Sequence, residues 1–124
     1  MSIISPRVHG VLDYSVAVAL IAAPILLDFA AESSVAAAIS IAAGIGLVAY
    51  SLITDYSAGV RRVISWRVHL VLDRIAAAGL LVAPFACGFD GIARLFYVSV
   101  GAAVLVVVAM TQRNLVTEGN PSTV

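Results

Sequence analysis

The chain has 124 residues, of which 62% are hydrophobic and 11% charged, with seven cationic side chains, all arginine, balanced by seven acids. A water-facing domain carries about 25% charged residues, so at a mean hydropathy of +1.09 this chain has too little polar surface to cover a soluble globule. Its neutrality excludes a nucleic-acid partner, which needs a basic face to displace counterions from phosphates.

A helix that crosses the hydrocarbon core of a bilayer needs about 20 mostly apolar residues. Four stretches meet this requirement, at 8–27, 34–54, 67–87 and 92–112. They are separated by short polar breaks: Asp28 with Glu32-Ser33-Ser34, then Asp55 through Arg62, then Gly88 with Asp90-Gly91. The apolar runs show no polar alternation, which excludes a β-barrel. The fold class is therefore all-α, a polytopic membrane four-helix bundle of two tandem helical hairpins. The first hairpin occupies 1–60 and the second 61–114, followed by a disordered polar tail over 115–124.

The first span opens with RVHGVLD, and Asp13 interrupts its apolar run. A secretory signal would not be interrupted in this way, and a near copy of the segment recurs mid-chain, so the segment reads as a retained span. Sliding the chain by 60 residues aligns 7–29 with 67–89, and eleven of the 23 positions match: Arg, Val, His, Val, Leu, Asp, Ala, Leu, Ala, Pro and Phe. The second helices align at an offset of 57, with Gly44 on Gly101 and Thr54 on Thr111, so one connection should be three residues shorter. Each unit crosses the membrane twice, so the copies share one orientation and should be related by a pseudo-two-fold axis along the membrane normal, as in parallel-repeat transporters.

Each first helix ends in Pro, a bulky residue and, shortly after, Phe: APILLDF in the first copy and APFACGF in the second. In this layout the chain resembles the SPW-repeat family of small bacterial and archaeal membrane proteins, whose motif is Ser-Pro-Trp near the end of the first helix of each repeat. Here Ala23 and Ala83 stand for Ser, Ile25 and Phe85 for Trp, and Pro24 and Pro84 persist. The resemblance implies a multi-span membrane protein and brings no activity, substrate or cofactor.

Helices associate in lipid where small residues let backbones approach. The second span offers Ala36-Ser40-Gly44 and Ala38-Ala42-Gly46; the first and third offer Ser15-Ala19-Ala23 and Ile75-Gly79-Ala83. These lines are expected at the contact between units. Pro24 and Pro84 free the carbonyls of Leu20 and Leu80 and read as helix terminators rather than hinges. Trp66, Tyr56 and Tyr97 lie near span ends and read as interfacial anchors.

The arginines orient the bundle. Arg7, Arg61, Arg62, Arg67 and Arg113 flank ends that share one side, and only Arg94 lies near the other. The positive-inside rule then places both termini in the cytoplasm of a protein with four spans in the inner membrane.

His9 and Asp13, like His69 and Asp73, are four apart, which on a helix places both side chains on one face. The repeat brings both pairs to the same end, so each buried carboxylate can find a partner. A shared network is expected from His9, Asp13, His69 and Asp73, with Arg7, Arg67 and Arg74 close enough in sequence to reach the carboxylates and Asp55 nearby. Its structural reading, a lock on the register of the hairpins, is preferred. An ion or proton pathway is the second reading, since intramembrane ionisable groups are functional candidates, but the first and third spans hold only apolar residues beyond the aspartates. A zinc site from two His and two Asp is the third reading, and bis-histidine haem ranks below it. No cofactor or metal is assigned.

No catalytic set or phosphate loop accompanies the cluster, and the lone Cys87 fits no CxxC pair, so no enzymatic activity is expected. The expected function is that of a small scaffold, accessory or oligomerising membrane component. Its partners are the lipid bilayer and a second copy of the chain or another membrane protein. The alternative is a small proton or cation transporter or channel.

Overall fold

The computed structural model describes residues 3–111. The expected disordered tail and Arg113 lie outside the described residues. Four helices follow in chain order: α1 (Pro6–Leu26), α2 (Ser34–Leu52), α3 (Trp66–Ala86) and α4 (Gly91–Met110). All four are long and apolar enough to cross a membrane. Their ends fall within two residues of the expected spans.

Serines begin three of the helices. Ser5, Ser33 and Ser65 accept hydrogen bonds from the backbone N–H groups of Val8, Ala36 and Val68, satisfying donors that have no partner within the helix. At the start of α4, Asp90 makes no such cap; its carboxylate holds Arg94 at 2.8 Å. Pro24 and Pro84 sit close to the C-terminal ends of α1 and α3, consistent with termination. The carbonyl of Leu20, freed by Pro24, accepts the Ser40 hydroxyl at 2.6 Å.

Beyond each proline-bearing end the backbone turns left-handed at the same repeat position, Asp28 (φ 59°) and Gly88 (φ 71°). Glycine adopts this cap without a Cβ penalty, and aspartate tolerates it better than most residues. The first connection runs over residues 27–33 and its counterpart over 87–90. That three-residue difference produces the change of offset from 60 to 57.

Within each hairpin the helices pack along their length, α1 on α2 and α3 on α4, while contacts between hairpins are sparse. Two glycines set the approach. A Cβ on Gly44 would lie 2.7 Å from Ile21 Cγ1 and 2.8 Å from the Ala17 carbonyl, and one on Gly101 would lie 2.8 Å from Leu81 Cγ and 3.0 Å from the Ala77 carbonyl. The small-residue expectation is therefore corrected. Ala36, Ser40 and Gly44 are buried, but Ser40 and Gly44 face α1 of their own hairpin, and Ala36 also meets the other hairpin. Ala38, Ala42 and Gly46 are exposed, as are Ser15, Ala19, Ile75 and Gly79. Small residues show where a backbone can be approached without specifying which neighbour approaches.

The hairpins meet at their two ends. At one end an apolar cluster unites Leu20, Phe29 and Ala36 with Leu80, Phe89 and Tyr97. At the other, Tyr56, Trp66, Leu70 and Val108 pack together. The aromatic expectation is corrected too: Tyr56, Trp66 and Tyr97 are all buried. Their rings fill the bundle, and the Tyr97 hydroxyl reaches inward to the Ala36 carbonyl, so these side chains are core rather than anchors.

Between the two ends lies a cavity of about 150 Å³ lined by residues of all four helices. His9 and Leu20 of α1 lie beside His69 and Leu80 of α3, so α1 and α3 run parallel and an axis exchanging them lies along the bundle. Two backbone clasps show the exchange. The N–H groups of Ile3 and Ile4 bond the Met110 carbonyl, and those of Val63 and Ile64 bond the Ile53 carbonyl. Each clasp ties the entry of one hairpin's first helix to the exit of the other hairpin's second helix, reciprocally, as a two-fold axis requires.

Substituting Gly44→Val should destabilise the bundle by about 1–3 kcal/mol through overpacking. Gly46→Val, where a Cβ meets nothing within 4 Å, should leave it nearly unchanged. Thermal unfolding of both variants in detergent measures the contrast.

Candidate functional site

The buried face of α1 is His9, Asp13, Ala17, Leu20 and Pro24, and that of α3 is His69, Asp73, Ala77, Leu80 and Pro84. Both sets carry the same spacings of four, four, three and four. The apolar part of each face fills the interior, and the polar part brings four ionisable side chains to the axis.

Each histidine spans both carboxylates. His9 Nε2 lies 3.1 Å from Asp13 Oδ1 and 2.8 Å from Asp73 Oδ2. His69 Nε2 lies 3.0 Å from Asp13 Oδ2 and 3.3 Å from Asp73 Oδ2. The imidazole rings meet edge to face at 5.5 Å. All four side chains are buried, His69 completely.

The rear of each ring is anchored symmetrically. His9 Nδ1 lies 2.9 Å from Thr111 Oγ1, and His69 Nδ1 lies 2.9 Å from Thr54 Oγ1. Each threonine donates its own hydroxyl proton to a carbonyl one turn earlier, Val107 for Thr111 and Tyr50 for Thr54. The threonine oxygens can therefore only accept from the rings, so both Nδ1 atoms carry protons. A ring with that proton alone would point an Nε2 lone pair at carboxylate oxygens about 3 Å away. A proton or a metal ion must lie between them.

Two tyrosines hold the carboxylates. The Tyr50 hydroxyl donates to Asp73 Oδ1 at 2.5 Å, and the Tyr56 hydroxyl donates to Asp13 Oδ2 at 2.9 Å. Tyr56 lies in the connection between α2 and α3, where burial and the neighbouring Asp13 carboxylate raise its phenol pKa and keep it a donor. Its ring stacks on Trp66 at 5.1 Å, and Trp66 stacks on His69 at 5.4 Å. The Tyr50 hydroxyl has no counterpart in the second copy, where the equivalent position is Val107.

Gly10 and Leu70 occupy the same repeat position, and the structure explains their difference. A Cβ on Gly10 would fall 2.3 Å from Ala58 Cβ. The α2–α3 connection folds across α1 there, and Tyr14 donates to the Ala58 carbonyl at 2.9 Å.

Of the residues expected at this site, His9, Asp13, His69 and Asp73 come together. Arg7, Arg67 and Arg74 are exposed and do not join them. Asp55 instead faces Arg62 at 3.4 Å, outside the cluster. Tyr50, Tyr56, Thr54 and Thr111 complete the site and were not identified by sequence reasoning. The pairing of Thr54 with Thr111 across the repeat was their one visible signal.

The cavity abuts the site. His9, Asp13, Asp73 and Tyr50 line one end, and Leu12, Val16, Leu20, Leu47, Ala77 and Leu80 are among the apolar residues lining the rest. Among the described residues, no chain of polar groups leads from the quartet along this cavity toward the apolar cluster of the other end.

The family model of the SPW repeat domain matches residues 7–112. No curated protein and no solved structure matches the chain.

The part-buried Tyr50–Asp73 contact should show direct coupling. Tyr50→Phe leaves a buried carboxylate oxygen without its donor, an effect of about 1.5–3 kcal/mol for a charged partner. In a double-mutant cycle, combining Tyr50→Phe with Asp73→Asn should cost less than the sum of the single changes. Tyr50→Phe with Asp55→Asn should be additive. Unfolding midpoints in detergent decide both cycles.

Proposed function

The chain belongs to the SPW repeat family and is an integral membrane protein; from that premise we propose that it is a non-enzymatic scaffold, accessory or oligomerising component of the inner membrane. The observation that carries this reading is the inward closure of its intramembrane polar chemistry. His9, Asp13, His69 and Asp73 face one another, and the rest of the cavity is apolar. Buried ionisable groups that partner each other specify one arrangement of the hairpins, whereas a conduction path needs polar groups continued across the bundle. Transport is therefore not the favoured reading.

The outward surface suits association within the bilayer. Exposed Val18, Ile25, Val35, Ile45, Ile75, Val82 and Leu105 present apolar side chains to lipid. On α2 the exposed line Ala38-Ala42-Gly46 offers a neighbouring helix a close approach. A second copy of the chain or another membrane protein is the partner this line suits.

The arginine distribution supports an orientation with the quartet near the cytoplasmic face and the α1–α2 and α3–α4 connections outside. Arg7, Arg61, Arg62 and Arg67 are exposed near the quartet end, and Arg94 is near the other.

Native mass spectrometry in mild detergent should show a defined homo-oligomer or a stoichiometric complex with another membrane protein, and Gly46→Leu should shift it toward monomer. A solitary monomer, or saturable proton or cation flux by the wild type in liposomes, would overturn the proposal. For the orientation, the exposed Cys87 at the end of α3 should react with a membrane-impermeant maleimide added outside spheroplasts. A Cys87→Ala, Ser57→Cys variant should not.

A further inference from the structure

We propose that His9, Asp13, His69 and Asp73 form a binding site for one divalent transition-metal ion of the zinc class, held on the axis where the two hairpins meet. The donor atoms are already gathered: one from each residue, all within 4.8 Å of one another. Zinc–nitrogen and zinc–oxygen bonds of about 2.0–2.1 Å place neighbouring ligands of a tetrahedron about 3.3 Å apart. His9 Nε2 lies 2.8 Å from Asp73 Oδ2 and 3.1 Å from Asp13 Oδ1, and His69 Nε2 lies 3.3 Å from Asp73 Oδ2. A shift of a few tenths of an ångström would bring these three separations to that edge length.

The hydrogen-bond inventory points the same way. Thr54 and Thr111 take the Nδ1 proton of each ring, which leaves Nε2 as the ligating atom. Metal-bound histidines are commonly fixed through their other nitrogen in this manner. The tyrosines complete the pattern: Asp73 would bind through Oδ2 while Tyr50 holds Oδ1, and Asp13 through Oδ1 while Tyr56 holds Oδ2.

A proton on each Nε2 would also supply the positive charge the site requires. That arrangement needs each N–H aimed at an oxygen. His9 satisfies it toward Asp73 at 2.8 Å. His69 does not: its Nε2 is buried and lies near two carboxylate oxygens, yet among the described residues it makes no hydrogen bond of acceptable direction. A nitrogen close to two oxygens and aimed at neither is placed as a ligand to a common centre.

Charge and donor type narrow the ion. Two carboxylates and one divalent cation are neutral together, which suits a site that none of the described arginines enters. A set of two imidazoles and two carboxylates is too nitrogen-rich for calcium or magnesium, and it lacks the thiolates that select copper(I). Both hairpins contribute a histidine and an aspartate, so the ion would join the two copies. The scaffold reading does not depend on this site, because the oligomer can persist whether or not metal binds.

The test uses the full chain, purified in mild detergent through a tag without histidines, stripped with chelator and titrated with zinc or cobalt(II). We expect one equivalent per chain and the visible absorption of tetrahedral cobalt(II). Asp73→Asn and His69→Gln should abolish both. Thr54→Val, which keeps all four ligands and removes a ring anchor, should weaken binding about 10–100-fold, with circular dichroism confirming the helices. Asp55→Asn should bind as the wild type does. Absence of stoichiometric zinc and cobalt binding by the folded wild type would overturn the proposal and leave the two-proton arrangement. Binding that Asp73→Asn, His69→Gln and Thr54→Val leave unchanged would overturn it equally.

Discussion

Two carboxylates buried among four apolar helices must be neutralised where they sit, and the bundle is arranged around that constraint. A charged group removed from water without a partner costs many kcal/mol, and among the described residues no arginine pairs with Asp13 or Asp73. The neutralising proton or cation must lie between them and His9 and His69, each placed against the carboxylates of both hairpins. Neither hairpin can complete this pattern alone. The electrostatic requirement thus fixes how the copies meet, while packing within each copy is governed separately by the close approach at Gly44 and Gly101.

The same division explains the cavity. Helices within a hairpin are drawn together along their length, but the hairpins are joined at two levels, the polar quartet at one end and the Phe29–Phe89–Tyr97 cluster at the other. Ala17, Ala43, Ala76, Ala77 and Ala103 between those levels are too small to fill the axis, and space remains. The quartet therefore stands at the wall of a void rather than in a tightly filled core.

Much of this was legible in the sequence. The offset of 60 identifies two equivalent helix starts, the spacing of four puts each histidine beside its aspartate, and parallel repeats bring the pairs to one end. Apolar length alone places the four helices. What was illegible depended on contacts between copies. Thr54 is 15 residues from His69 and Thr111 is 102 from His9, and nothing local marks a threonine at a helix exit as the support of a distant imidazole. Arg7 and Arg67 misled for a related reason. They adjoin the histidines in sequence, but at i−2 they sit on another face of the helix, which is exposed. Small-residue lines announced close packing and misassigned its partner, because alanine and glycine carry no directional chemistry.

The reciprocal clasps bear on the history of the chain. Ile4 pairs with Thr111 as Ile64 pairs with Thr54, so each first helix enters the fold against the exit of the opposite hairpin. Two separate single-hairpin chains could form the same contacts as a homodimer, each swapping its entry segment onto the other. In such an ancestor every residue on the axis would face its own twin, and each change would be made twice. Fusion into one chain lifts that restriction. Gly10 and Leu70, Tyr50 and Val107, and Ser40 and Tyr97 differ between the two sides. The histidines and aspartates, which answer to a shared electrostatic demand, are alike in both copies.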